Sequence, residues 1–248
     1  MLWAVVKMQE HERVSYLRIA TLLAKHRNPL LLLSGGKDSL VVAFLLKEVI
    51  GCAIDAFTEI STLFPDDEND VRLSISALGY FPHYHYELTY EKLSRHYTEV
   101  MPPCRYVFWK MDVLRHRASI PKYINRTGHD LLIFGRRLGE NSVGKGHYYP
   151  TNGPHTLLPI REWTTAQVWE FIRKHNIFYP RQYDTGLHQL RTWVGYLNEA
   201  YKENARTYIE NLWKIYPEAV MGIAPFYKPA TDYVNENQHG KHFNTTTL

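Results

Sequence analysis

One stretch constrains this chain more than any other. Leu30 to Leu33 form an apolar run, Ser34-Gly35-Gly36-Lys37-Asp38-Ser39 follow, and Leu40 to Ile50 is largely apolar again. The first run reads as a buried parallel strand and the last as a helix. A strand, a glycine turn and a helix in that order place backbone N–H groups at a helix N-terminus, where hydrogen bonds and the helix dipole favour an anion. Gly35 and Gly36 let the backbone approach a phosphate with no Cβ in the way. Ser34 and Ser39 add hydroxyl donors, and Lys37 adds a mobile point charge. Lys37 and Asp38 are expected to face ligand and not core. The G-x-x-x-x-G-K-[ST] spacing is missing, so the stretch is not a Walker A loop.

The rest of the chain supplies more strands and helices. Gln9 to His26 carries Tyr16, Ile19, Ala20 and Leu23 at helical spacing. Strands are expected over Ala53–Thr58, Phe81–Glu87 and Asp130–Phe134, with a helix ending near Leu78. Thr164 and Gln167 form the pattern of a capping box, opening a helix that runs to Lys174. Ser142 to His155 reads as a mobile loop, His175 to Gly186 as extended, Arg191 to Lys214 as one or two helices, and the polar tail from Tyr233 as frayed. Strands alternating with helices predict an α/β fold: a doubly wound, mostly parallel sheet with ligands at the carboxyl ends of its strands. The expected division is a domain over 1–186 and a C-terminal helical extension with a polar tail over 187–248.

At that edge a second loop, Gly135-Arg136-Arg137-Leu138-Gly139-Glu140-Asn141, follows the Asp130–Phe134 strand. Two adjacent arginines there suit phosphate or carboxylate, though such a loop standing alone reads as a solvated basic turn. His83 and His85 share a strand face, which a metal pair would need, but no third ligand accompanies them. With 45% hydrophobic and 22% charged residues the composition is that of a soluble globular protein. No apolar run is long enough to span a bilayer, so no membrane association is expected. Two cysteines, Cys52 and Cys104, give no disulfide framework and favour a cytoplasmic protein. Cys52, just before a strand, reads as a small buried hydrophobe. The net charge of +4 is a mild bias toward anionic partners.

Ser34 to Ser39 resembles the PP-loop of the ATP pyrophosphatase superfamily, whose members split ATP between the α- and β-phosphates. Three further segments narrow the likeness to the phosphoadenylylsulfate (PAPS) reductase branch. Glu59 to Asp66 is similar to that family's D-T-G-x-x-F-P-E segment, keeping Phe64-Pro65 but with Glu, Ile and Ser for the first three positions. Gly135 to Asn141 looks like its G-x-R-x-x-E-S loop. Pro159-Ile160, Trp163-Thr164, Val168-Trp169 and Tyr183-Asp184-x-Gly186 resemble its helix and following turn. The resemblance implies an adenine nucleotide alpha hydrolase-like fold.

It also implies roles. Ser34, Gly35, Gly36, Lys37, Asp38 and Ser39 would bind the phosphates of ATP, with Mg2+ and with Asp38 either helping to hold the metal or bracing the loop. Thr58 and Glu59 would lie near the nucleoside, and Gly135, Arg136, Arg137 and Glu140 would complete the cofactor-binding set, the arginines clamping phosphate. Reductases of the family carry a cysteine in an E-C-G-[LI]-H segment; Asp184-Thr185-Gly186-Leu187-His188 echoes it with Thr185 at the cysteine position. Reductase chemistry and an iron–sulfur cluster are therefore not expected. The resemblance is closest in type to the ATP pyrophosphatase component of DNA phosphorothioation systems, which inserts sulfur into a backbone phosphate. That reading implies DNA or DNA-processing subunits and a cysteine desulfurase as partners. The DNA contacts would come from Arg191, Lys202, Arg206 and Lys214. Cys104, beside Arg105 and ahead of Lys110, would be the candidate to relay sulfur, since positive charge favours the thiolate. The alternatives are an adenylyltransferase or reductase-like enzyme acting on a small molecule, and a nucleotide-binding regulatory subunit without turnover.

Overall fold

A computed structural model describes residues 8–60, 65–86, 120–138, 148–149, 153–185, 205–215, 217–226 and 228–240. They fall into two compact units. The first takes its residues from 1–59, 71–85 and 120–179, the second from 60–70, 86–119 and 180–248. The expected boundary at 186/187 lies outside the described residues.

Among the described residues, the first unit is built on a sheet of six strands. They are β1 (Pro29–Leu32), β2 (Ala56–Ile60), β3 (His83–Tyr86), β4 (Leu131–Phe134), β5 (Tyr148–Tyr149) and β6 (His155–Leu157), in the order β3-β2-β1-β4-β6-β5. The β1–β2, β1–β4 and β4–β6 pairs are parallel, and β5 runs antiparallel to β6. From β1 the chain moves outward to β2 and β3, then returns to place β4 on the other side of β1. The order therefore reverses between β1 and β4, and that reversal opens a crevice at the carboxyl ends of the two strands. Leu32 pairs with Phe134, so the segments leaving the two strands start level with each other.

Strand alternation sorts the leucines between two cores. Leu31, Leu33, Leu131, Ile133 and Leu157 join the larger cluster, packed with α1 (Glu10–Leu23), α2 (Lys37–Ile50) and α5 (Thr165–Lys174). Leu30, Leu32, Leu132 and Phe57 point the other way, toward Ile120, Tyr123 and Ile124 of α4 (Ile120–Thr127). α2 is apolar nearly all round because it is enclosed nearly all round, with Leu40, Val41, Val42, Ala43, Leu45 and Leu46 fully buried. It starts at Lys37 behind Gly36, three residues before the apolar run, and ends on the left-handed Gly51. Thr164 caps α5 as expected, accepting from the Gln167 N–H while the Gln167 amide oxygen accepts the Thr164 N–H. At β3, the His83 ring stacks on those of Phe57 and Tyr123, with centroids 5.7 and 4.7 Å away, and those two rings also meet each other at 4.9 Å.

Several expectations need correction. The segment ending at His155 is not loop throughout: it gives way to β6, whose Thr156 and Leu157 are buried beside β4. The 175–186 segment is not all extended, since Arg181–Thr185 coils into a 3-10 turn. In the second unit the Asp70 carboxylate accepts the Arg181 backbone N–H and its Nε, each at 3.0 Å, and so fixes the start of that turn. The tail from Tyr233 continues as helix through Gly240. It is the end of α8 (Lys228–Gly240), which packs with α6 (Ala205–Ile215) and α7 (Pro217–Ile223) around Ile209, Val220 and Ala230. α3 (Pro65–Ala77) ends one residue before Leu78, close to expectation. Cys52 is exposed, because the turn after Gly51 carries it to the surface.

Candidate functional site

Residues 33–36 leave β1 and residues 135–138 leave β4, so both loops open onto the crevice where the strand order reverses. Gly35 adopts φ +73°, a conformation L side chains rarely take, and an added Cβ would sit 2.7 Å from Cγ1 of the buried Val71. Both facts demand glycine there. Gly135 is required for a different reason. Its added Cβ would lie 2.6 Å from the Ser39 nitrogen and 2.7 Å from the Asp38 carbonyl carbon. The second loop thus passes directly against the first turn of α2, backbone on backbone.

The two serines shape the loop from within. Ser39 Oγ donates to the Gly36 carbonyl at 2.9 Å, and the Gly36 N–H donates to Ser34 Oγ at 3.3 Å. The serine oxygens are 3.1 Å apart, and Ser39 has one proton, already directed at Gly36, so Ser34 is the donor between them. Both hydroxyl protons are therefore used inside the loop. Thr58 behaves alike: fully buried, it donates to the Leu33 carbonyl at 2.7 Å and ties the end of β2 to the start of the loop.

Charged residues of the two loops meet at Asp38. Lys37 is fully buried, and its Nζ lies 2.7 Å from Asp38 Oδ2. Arg137, 7% exposed, brings Nε to 2.6 Å from Asp38 Oδ1, a charge contact with poor hydrogen-bond alignment. Its Nη1 donates to the Trp163 carbonyl at 3.3 Å and to Thr165 Oγ1 at 3.1 Å. The expectation that Lys37 faces ligand and not core is thus corrected: its long stem is enclosed and its ammonium neutralises a neighbour. Arg136 is half-buried, its guanidinium carbon 5.0 Å from the centre of the Phe134 ring. Glu140 and Cys104 lie outside the described residues, as do Arg191, Lys202 and the side chain of Glu59. Arg206 is described, and pairs with Glu210 and Glu236 at 2.9 and 2.7 Å. Lys214 contacts Asn211 on the same helix.

Sequence reasoning missed the tie from Arg137 to Trp163 and Thr165, and no local signal marks it. It also missed why Gly35 and Gly135 must be glycine, since Val71 and Ser39 are brought to them by the fold. The two oxygens of Asp38 each face a cation, which does not fit a magnesium ligand. Among the described residues no group of three or more His, Cys, Asp or Glu is placed to hold a metal ion.

An α/β unit whose strand order reverses above a glycine-lined helix N-terminus defines a nucleotide-binding class of protein. Residues 28–202 match the phosphoadenosine phosphosulfate reductase domain, and the chain belongs to that family. The fold is similar to that of phosphoadenylyl-sulfate (PAPS) reductase from Candida auris, solved as a phosphate complex. The TM-score is 0.59 at 17% identity, over 76% of this chain and 90% of that one. No curated protein matches the chain. Among the described residues no helix is long and apolar enough to cross a membrane.

Proposed function

We propose that the protein is an ATP pyrophosphatase, converting ATP to AMP and pyrophosphate to activate an acceptor oxygen for sulfur insertion, with a DNA backbone phosphate as the acceptor. The observation that carries the first part is the placement of the Ser34–Ser39 loop and the Gly135–Arg137 loop at one crevice, level with each other. The first N–H groups of any helix lack intrahelical partners, and those of α2 would receive phosphate oxygens there. Charge building on the leaving pyrophosphate is stabilised by such preorganised donors and by an arginine. Magnesium belongs to this reaction as part of the substrate, MgATP.

The second part rests on Thr185. It stands where reductases of this type place their nucleophilic cysteine, and a hydroxyl does not accept sulfite as a thiolate does. A sulfur-inserting relative fits this sequence better. The acceptor oxygen attacks the α-phosphorus, pyrophosphate leaves, and the terminal sulfur of a persulfide then attacks the acceptor phosphorus and displaces AMP. A thiol reductant frees the phosphorothioate from the donor. A cysteine desulfurase is the proposed source of the persulfide, with Cys104 as its proposed relay.

Product analysis tests both parts. Chromatography of an ATP incubation is expected to show AMP and pyrophosphate in equal amounts; ADP and phosphate contradict the reading. With DNA, a desulfurase and a thiol reductant present, mass spectrometry of nuclease digests is expected to show dinucleotides carrying one sulfur for oxygen. AMP release that depends on a small acceptor, and not on DNA, contradicts the DNA assignment.

A further inference from the structure

We infer that the two adjacent arginines have divided roles: Arg137 is a positioning residue that locks the second loop to the helix N-terminus through Asp38, and Arg136 is the arginine that meets the nucleotide's phosphates. The inference rests on the phosphate-binding reading of this crevice and replaces the expectation that both arginines clamp phosphate.

The contacts of Arg137 argue for the lock. Among the described residues its guanidinium ties two pieces of chain together: Asp38 in the first turn of α2, and the start of α5, through the Trp163 carbonyl and the Thr165 hydroxyl. It is almost fully enclosed. To clamp a phosphate it would have to leave Asp38, and the carboxylate would then stand beside the incoming anion with Lys37 alone to offset it. Like charges at such range disfavour binding. Held in place, the Lys37–Asp38–Arg137 group keeps one net positive charge beside the helix N-terminus, where it favours an anion without moving.

Arg136 faces no such conflict. Among the described residues its guanidinium meets the Phe134 ring and not a carboxylate. A ring against one face leaves the edge of the guanidinium fork for two parallel hydrogen bonds to phosphate. Arg136 also directly follows Gly135, the residue packed on the Ser39 nitrogen, so its backbone is held at the N-terminus of α2.

Calorimetric titration with inorganic pyrophosphate, alongside thermal unfolding, separates the roles. Arg136→Gln is expected to raise the Kd for pyrophosphate about 10- to 100-fold, the loss of a charge-assisted bidentate contact, with Tm close to the parent's. Arg137→Gln is expected to lower Tm by several degrees and to raise the pyrophosphate Kd less than Arg136→Gln does, since it removes a nearby charge but no direct contact. Should Arg137→Gln not fold, Arg137→Lys carries the test, since it keeps a charge for Asp38 but not the fork to Trp163 and Thr165. The double variant Asp38→Asn with Arg137→Gln is expected to unfold at a higher temperature than the sum of the single losses, because the two act through each other. Equal weakening of pyrophosphate binding by both arginine variants overturns the division, as does an additive double variant. A parent that binds pyrophosphate but releases none from ATP removes the proposed function, and the division is still decided by Kd and Tm. A parent that does not bind pyrophosphate overturns the assignment of Arg136.

Discussion

Gly135→Ala is expected to disable the site with a single methyl group. The added Cβ would meet the Ser39 nitrogen at 2.6 Å, the Asp38 carbonyl carbon at 2.7 Å and the Asp38 carbonyl oxygen at 2.9 Å. All three are backbone atoms of the first turn of α2, and none can swing aside as a side-chain tip can. The two loops must therefore separate, or the helix N-terminus must shift. Overpacking of this kind costs about 1–3 kcal/mol, and a displacement near 1 Å in a catalytic constellation costs about 100-fold in rate. Denaturant titration and pyrophosphate release measure the two effects independently. Parent-like values in both would contradict the close approach of the loops.

Asp38→Ala is expected to destabilise the first unit strongly, by about 3–5 kcal/mol, the loss typical when one partner of a buried ion pair is removed. It takes the Asp38 carboxylate away from the fully buried Lys37 ammonium and from the enclosed Arg137 guanidinium. Lys37→Ala acts more mildly, because Asp38 keeps Arg137. Read from sequence, both substitutions touch only ligand and leave the fold intact; read from the structure, the Asp38 variant attacks the fold first. Against a typical total stability of about 5–15 kcal/mol, such a loss shows directly as a lower denaturant midpoint. An unchanged midpoint would mean that the group is open to water and screened.

What the sequence revealed was local. Leu30 to Ile50 carries its strand, turn and helix in consecutive residues, and Thr164 with Gln167 carries its own cap, so both were legible. The same holds for the alternation of strands and helices that predicts the parallel sheet. β6 was not legible, because His155-Thr156-Leu157 is too short to show a period and is a strand only by pairing with β4. The 3-10 turn at Arg181 depends on Asp70, distant in sequence. α8 did leave a signal, Ala230 and Val234 four apart on one buried face, masked by the polar residues around them. In the site, residue types pointed to phosphate chemistry, but nothing local tells which charges pair. Arg137 finds Asp38 only because β1 and β4 are neighbours with Leu32 level with Phe134.

Hydrogen–deuterium exchange in the presence and absence of MgATP addresses the central claim, that residues 34–39 and 135–137 make one nucleotide site. The account predicts that amides in both segments slow together on adding MgATP, with the same dependence on nucleotide concentration. It predicts the same protection from inorganic pyrophosphate alone, because the phosphates supply the contact. Protection confined to other segments, or of one loop without the other, would contradict it.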